Sequence, residues 1–193
     1  PRQRNSRSDN KTIKEGGVPE EWEKEANKNK RRQKDTDARW AKKNNEVHYG
    51  YKDHVKVDKK HKIITKQKVT GAEVHDSQEL KNLVEEGKDK IIYADAGYAG
   101  EEVQGCIPEG MKNRIHEKGK RNKPLTKTQK RNNKAKSHIR VRVEHVFGMM
   151  TNTMKGIMIR SIGMARACFN IGLMNLVYNL SRYAYLRRTG ACT

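Results

Sequence analysis

Arg140-Val141-Arg142-Val143-Glu144-His145-Val146-Phe147-Gly148 is the stretch whose reading decides the fold. It lies inside a segment expected to be helical over roughly Thr126 to Lys155. Ile139, Val143, Val146/Phe147, Met150 and Met154 recur at steps of three and four, which makes one apolar face. Arg140 and Glu144 are four apart and stack on a neighbouring face. An acid at the rim of a buried face, in a strongly basic chain, has two readings. It is either half of a surface ion pair worth a few tenths of a kcal/mol, or a metal-binding carboxylate with a partner elsewhere in the chain.

The rest of the chain sets the terms for that choice. Its 193 residues hold 43 Lys and Arg against 23 Asp and Glu, a formal charge of +20. The length suits one domain. An excess of this size goes beyond solubility and implies a polyanionic partner, most simply nucleic acid. Cys106, Cys168 and Cys192 form no CxxC pair and are odd in number. That argues against a disulfide framework or zinc site and for a reducing cytoplasm. No signal peptide or membrane span is visible. The chain opens on Pro1 inside a charged segment, so a fragment of a longer protein is expected.

Residues 1–46 carry little apolar periodicity and read as a basic arm, partly helical; Pro1 to Gly17 reads as extended. Pro19-Glu20-Glu21-Trp22 opens a short helix. Trp40 beside Asp35-Thr36-Asp37-Ala38-Arg39 is a packing anchor or, less simply, a stacking platform for a base. Val47 to Val57 alternates with period two, Asp58 to His61 turns, and Lys62 to Thr70 returns, a β-hairpin. His75-Asp76-Ser77 caps a short helix over Gln78 to Glu86. Lys90-Ile91-Ile92-Tyr93-Ala94-Asp95 is a continuous apolar run ending in an acid, the pattern of a strand buried on both faces. Lys112 to Glu117 is a further strand, and Lys118 to Pro124 a basic loop. A last amphipathic helix over Ser161 to Leu186 directs Ala165, Cys168/Phe169, Leu173, Leu176/Val177, Leu180 and Tyr183 inward.

Asp95, at a strand end, and Glu144, on a helix, are the acids that best fit chemistry. Converging carboxylates in a basic protein suit Mg²⁺ or Mn²⁺, hard ions that prefer oxygen ligands. Two such ions activate a water or a 3′-OH in phosphoryl transfer. Spacing alone leaves the ion-pair reading of Glu144 open.

The chain resembles the DDE transposases of bacterial insertion sequences, in the insertion-sequence-five branch. The resemblance rests on Asp35-Thr36-Asp37-Ala38-Arg39-Trp40 with Lys42-Lys43, Tyr49-Gly50-Tyr51-Lys52, Val74-His75-Asp76-Ser77, Ala94-Asp95-Ala96-Gly97-Tyr98, Lys118-Gly119-Lys120-Arg121 and the Arg140–Gly148 stretch, in family order. It implies an α/β fold, an RNase H-like mixed sheet flanked by helices, here lacking its first strand and ending in the amphipathic helix. The catalytic domain then runs over 47–186, incomplete, with a tail at 187–193. It further implies that three acids hold two Mg²⁺ or Mn²⁺ ions, nick the element's ends and join the freed 3′-OH to target DNA. Asp95 matches the second acid, Glu144 the third, and Arg140 the arginine that contacts phosphate near the cut. Ser137 and Thr151 stand where the family's signature has Tyr and Lys, with Lys155 expected in place of that lysine. The first family Asp has no match in this sequence. Arg142, Lys118, Lys120, Arg121 and Lys123 join Arg140 and Lys155 as expected DNA contacts. Double-stranded DNA, both transposon ends and target, is the implied partner, with a homo-oligomer of the chain. A bacterial, cytoplasmic protein is implied, nucleoid-associated when bound to DNA. The chain alone is expected to be inactive. The competing reading is a non-catalytic basic DNA-binding remnant; an RNA-associated basic protein explains the charge but not the Asp95 and Glu144 blocks.

Overall fold

In the computed structural model, residues 4–43, 45–156 and 158–191 are described. The first residues of the expected arm, 1–3, and the end of the tail, 192–193, lie outside them. The architecture is mixed α/β. Helices α1 (Arg7–Lys14), α2 (Glu20–Glu23) and α3 (Lys28–Arg32) precede strands β1 (Arg39–Lys43), β2 (Glu46–Val57) and β3 (Ile64–Gly71). These three form an antiparallel sheet in the order β1-β2-β3, with Trp40 opposite Tyr49 in the β1/β2 pair. Then follow α4 (Leu80–Leu83), β4 (Ile91–Ile92), α5 (Glu101–Gln104), β5 (Lys112–Asn113), α6 (Lys127–Gly148) and α7 (Met164–Arg188). The chain divides into two compact units. One comprises Pro1–Asp53, Val69–Val74 and Ile157–Met174; the other His54–Lys68, His75–Gly156 and Asn175–Thr193.

The first unit is built on a buried carboxylate. Asp35 is fully buried, and its carboxylate accepts from the backbone N–H of Asp37 (3.0 Å), Ala38 (3.1 Å) and Gly163 (3.3 Å). The Tyr51 hydroxyl donates to the same group at 2.7–2.8 Å. The Asp35 carbonyl accepts from Asn5 Nδ2 (2.6 Å) and the Tyr49 hydroxyl (3.2 Å). Asp37 accepts from Met164 N at 2.7 Å and so satisfies a free donor of the first turn of α7. Burial, then the Asp35 hydrogen bond, pushes the Tyr51 phenol far up. Trp40 packs as an anchor. Its Nε1 donates to Asn5 O (3.0 Å), its ring lies 4.9 Å from Tyr49, and Arg4 and Arg7 sit over it.

Two expectations change here. Residues 7–14 form a helix where an extended arm was expected. Ser6 and Asp9 close a capping box, a local signal strong enough to start a helix without an apolar face. Strand β1 was not expected, because its outer residues are charged and period two is lost.

The larger change concerns α7. The helix runs close to the expected span, but it presents a different face. Ala167, Ile171, Asn175, Tyr178 and Leu186 are buried, whereas Phe169 is 71% exposed, and Leu173, Leu176, Leu180 and Tyr183 lie outside as well. Within the second unit the cause is polar. Asn179 takes both the N–H and the C=O of Ile64 (2.9 Å each), Asn175 reaches Gln67, and the Tyr178 hydroxyl donates to Lys62 O at 2.8 Å. Asn179 thereby satisfies the backbone of Ile64 at the start of edge strand β3, and backbone groups left unpaired there are costly. Hydrogen bonding, not the apolar period, sets the helix rotation. Ile171→Ala should therefore cost about 2–4 kcal/mol in urea unfolding, and Phe169→Ala less than about 0.5 kcal/mol.

Candidate active site

Strands β4 and β5 pair in parallel, Ile91 beside Lys112 and Ile92 beside Asn113. The backbone continues this pairing beyond the regular ladder. Lys112 N donates to Lys90 O (2.9 Å), Arg114 N to Ile92 O (2.9 Å) and His116 N to Ala94 O (3.0 Å). The bonding thus reaches the residue before Asp95. Ile91 is 42% exposed and, among the described residues, β5 is the strand hydrogen-bonded to β4. The run expected to be buried on both faces is covered on fewer sides than its composition implied.

Asp95 itself is exposed and caps a 3₁₀ turn over Ala96–Tyr98, its Oδ1 accepting from Gly97 N at 2.8 Å. A Cβ at 97 would sit 2.9 Å from Asp95 Oδ1, so a side chain there would displace the Asp95 carboxylate from its cap. Behind this turn lies a second acid. Burial, then the charges of Asp76 and Asp95, push the Tyr98 phenol up. Asp76 also lies 3.1 Å from Nδ1 of the buried His54. Residues 75–77 do cap a helical turn, with His75 accepting from Ser77 N, as expected.

Helix α6 starts at a capping box between Thr126 and Gln129. One polar line then fastens it to the irregular segment after β5, where the expected strand over Lys112 to Glu117 is regular only at Lys112–Asn113. Asn133 exchanges hydrogen bonds with the backbone of Glu117 (2.9 and 3.1 Å), and Lys136 Nζ donates to Ile115 O (2.8 Å). Ser137 Oγ lies 3.4 Å from His116 Nε2, and Arg140 Nη2 holds Glu144 Oε1 at 2.5 Å. Steps of three and four keep these residues on one side of the helix. Glu144 is half exposed at the end of the line. Arg140 Nε is buried and has no hydrogen-bond partner.

His116 links the two acids' neighbourhoods. Burial, then the charges of Arg140 and Lys136, lower its pKa, while Asp95 acts in the opposite sense. It therefore sits within electrostatic reach of both Asp95 and Arg140. Sequence reading missed His116, Lys136 and Asn133. The signal for the last two was present, because Asn133, Lys136, Ser137, Arg140 and Glu144 form a polar stripe at helical spacing.

Between residues 96–100, the segment 113–117 and the start of α6 lies an open cleft of about 940 Å³. Lys118, Lys120 and Lys136 line it with His116. Lys120 and Lys123 exchange backbone hydrogen bonds (3.0 Å each way), so the basic loop closes as a tight turn with Arg121 at its tip. Lys118, Lys120, Arg121 and Lys123 are all exposed. Arg142 is elsewhere on α6, reaching the carbonyl of Lys59. Lys155 departs from expectation. Helix α6 ends at Gly148, a π-turn over Met149–Thr153 follows, and Lys155 has φ +59°. It lies past the helix, so no shared helical face ties it to Glu144. Thr151 bonds back to Phe147 O inside the π-turn.

Asp95 and Glu144 carry the hard oxygen donors that a divalent ion of the Mg²⁺ type prefers. Among the described residues, however, no three His, Cys, Asp or Glu side chains come together in a metal-binding group. The donor type fits and the donor number does not, so no catalytic step through a metal is derived. Among the described residues, no helix is long and apolar enough to cross a membrane.

The sequence matches the transposase DDE domain family over residues 18–180. It is 38% identical over 119 residues to the transposase for insertion sequence element IS1106 of Neisseria meningitidis serogroup B, a match covering 61% of this chain and 41% of that protein. The chain thus matches less than half the length of this curated relative. No solved structure matches. With the matched segment taking in both acids, the cleft, all of α6 and most of α7, the chain belongs to the family of DDE transposases of insertion sequences.

Proposed function

We propose that this chain supplies part of a transposase active site that cuts and joins DNA at insertion-sequence ends. The observation that carries this reading is His116, whose backbone N–H donates to the carbonyl of Ala94 beside Asp95 (3.0 Å) and whose ring lies 3.4 Å from Ser137 on the Arg140–Glu144 side of α6. Parallel strands β4 and β5 followed by a helix bearing the last acid accord with an RNase H-like arrangement. Asp95 and Glu144 would be two of three carboxylates around a pair of Mg²⁺ or Mn²⁺ ions. Those ions would supply the activation of water and of the 3′-OH. Arg140, with a buried unpaired Nε, is suited to a backbone phosphate oxygen; an unsatisfied buried donor is costly until an acceptor arrives. Duplex DNA would cross the Lys118–Lys123 loop and the cleft beneath it.

The second reading, a DNA-binding chain without catalysis, is favoured by one observation: no third ligating side chain joins Asp95 and Glu144 among the described residues. Both readings predict duplex binding. In each, Lys118→Gln with Lys120→Gln lowers the slope of log affinity against log salt by about 2. Nicking separates them. The chain is assayed with Mg²⁺ on a duplex carrying the element's end, alone and with a segment that provides the third carboxylate. Cleavage only in the second case supports the transposase reading. Cleavage in neither, with duplex binding intact, supports the remnant.

A further inference from the structure

A second concentration of positive charge lies away from the Arg140–Glu144 line. Helices α6 and α7 both hold the turn between β2 and β3 by its carbonyls, all within the second unit. Arg142 donates to Lys59 O, Arg182 Nε to His61 O (2.7 Å) and the Tyr178 hydroxyl to Lys62 O (2.8 Å). Lys62 Nζ lies 2.8 Å from His145 Nδ1. The turn is thereby fixed with Lys62 at φ +60°, a conformation that non-glycine residues adopt only when their surroundings enforce it. At 100° per residue, Arg142 and His145 project well round α6 from Arg140 and Glu144.

The acids nearby are engaged otherwise. Asp58 accepts from His61 N at 2.5 Å and lies 3.4 Å from His61 Nδ1, and Glu144 is paired with Arg140. Among the described residues, no carboxylate lies within ion-pair distance of Lys59, Lys62, Arg142 or Arg182. Burial and the charges of Arg182 and Arg142 lower the Lys62 pKa, so the cluster's cations repel one another without compensation. Like charges held together on a rigid turn are an arrangement completed by an anion.

We propose that the Lys59–Lys62 turn, with Arg142, His145 and Arg182, is a second phosphate-binding site that takes a backbone phosphodiester of duplex DNA. It rests on the DNA-binding reading above and adds a contact on another side of α6. Lys59, exposed and 5.6 Å from the Tyr93 ring, extends the site toward β4. The site reads no base sequence, because its donors suit phosphate oxygens.

The test is fluorescence anisotropy of the full 193-residue chain on a duplex of arbitrary sequence over a KCl series. Lys62→Gln should lower the slope of log affinity against log salt by about 1, and Lys59→Gln/Lys62→Gln by about 2, while Lys62→Arg keeps the original slope. These side-chain nitrogens hold no backbone, so unchanged thermal melting shows that the fold is intact; Lys62→Arg serves as the control if it is not. A slope unaltered in folded Lys62→Gln overturns the proposal and leaves the DNA reading standing. If Lys62→Gln instead abolishes binding of inorganic phosphate, followed by NMR, but leaves the duplex slope alone, the site takes a free anion and the proposal is wrong. If the unsubstituted chain fails to bind duplex, the DNA reading falls with it.

Discussion

Asp95→Asn and Glu144→Gln should each lower strand cleavage by roughly 10³-fold or more, the size of loss expected when a preorganised charge contribution is removed. The measurement needs a form in which the third family carboxylate is supplied. Both substitutions keep shape and remove charge. Asp95→Asn retains an oxygen to accept from Gly97 N, so the turn below the cleft survives. Glu144→Gln frees Arg140 from its ion pair, which is exposed enough to contribute little to stability. Duplex affinity should therefore change by less than about threefold, and Glu144→Gln should tighten it slightly by adding an unpaired cation. The double substitution should be no worse than either single one, because groups acting as a unit lose their effect once. Loss of DNA binding, with cleavage tracking occupancy, would remove both acids from the chemistry.

Replacing Asp35 should do the most damage to folding. Its carboxylate accepts from three backbone N–H groups and the Tyr51 hydroxyl. Asp35→Ala leaves these donors buried without an acceptor and should cost about 3–5 kcal/mol. Asp35→Asn keeps one oxygen but turns an amide toward donors, for roughly 2–3 kcal/mol. Trp22 and Trp40 both lie in the first unit, so tryptophan fluorescence in urea reports this unit directly. An unchanged midpoint for Asp35→Ala would show that the carboxylate does not hold the unit together. The same hub predicts alkaline sensitivity. Burial, aided by the Asp35 charge and opposed by the hydrogen bond with Asn5, pushes the Tyr49 phenol up to about 12. A raised pKa means that the protonated phenol is favoured in the folded state. Its contribution is full below pH 10 and is lost as pH rises from 10 toward 12. Midpoints measured at pH 8 and pH 11 should fall between the two in the unsubstituted chain, and fall less in Tyr49→Phe.

Asp35 also explains what the Asp35–Trp40 and Tyr49–Lys52 motifs do. Both resembled a transposase family, and neither could be given a role by spacing. In the structure they meet as one hydrogen-bonded core, with Asp37 capping α7. They hold the first unit together.

The sequence by itself determined the features that rest on neighbouring residues. The capping box at Thr126 starts α6, the period-two alternation makes the β2–β3 hairpin, and the net charge indicates a polyanionic partner. Each acts over a few residues or over the whole composition, so no partner from afar is needed to read it. The family resemblance likewise followed from short ordered blocks. Only the tertiary structure decided which side of α7 turns inward, because Asn179 answers to the backbone of Ile64 and Asn175 to the Gln67 side chain, both on β3 and more than a hundred positions earlier. It alone brought His116 beside Ala94 through strand pairing and beside Ser137 of α6 through its ring. The stretch 140–148 shows both halves. Its periodicity made a helix and its spacing an Arg140–Glu144 ion pair, and both are present. That Arg142 and His145 turn instead toward the Lys59–Lys62 turn depends on where a hairpin eighty residues away comes to rest. Long-range placement of this kind is set by packing and backbone satisfaction, which leave no periodic trace in the chain.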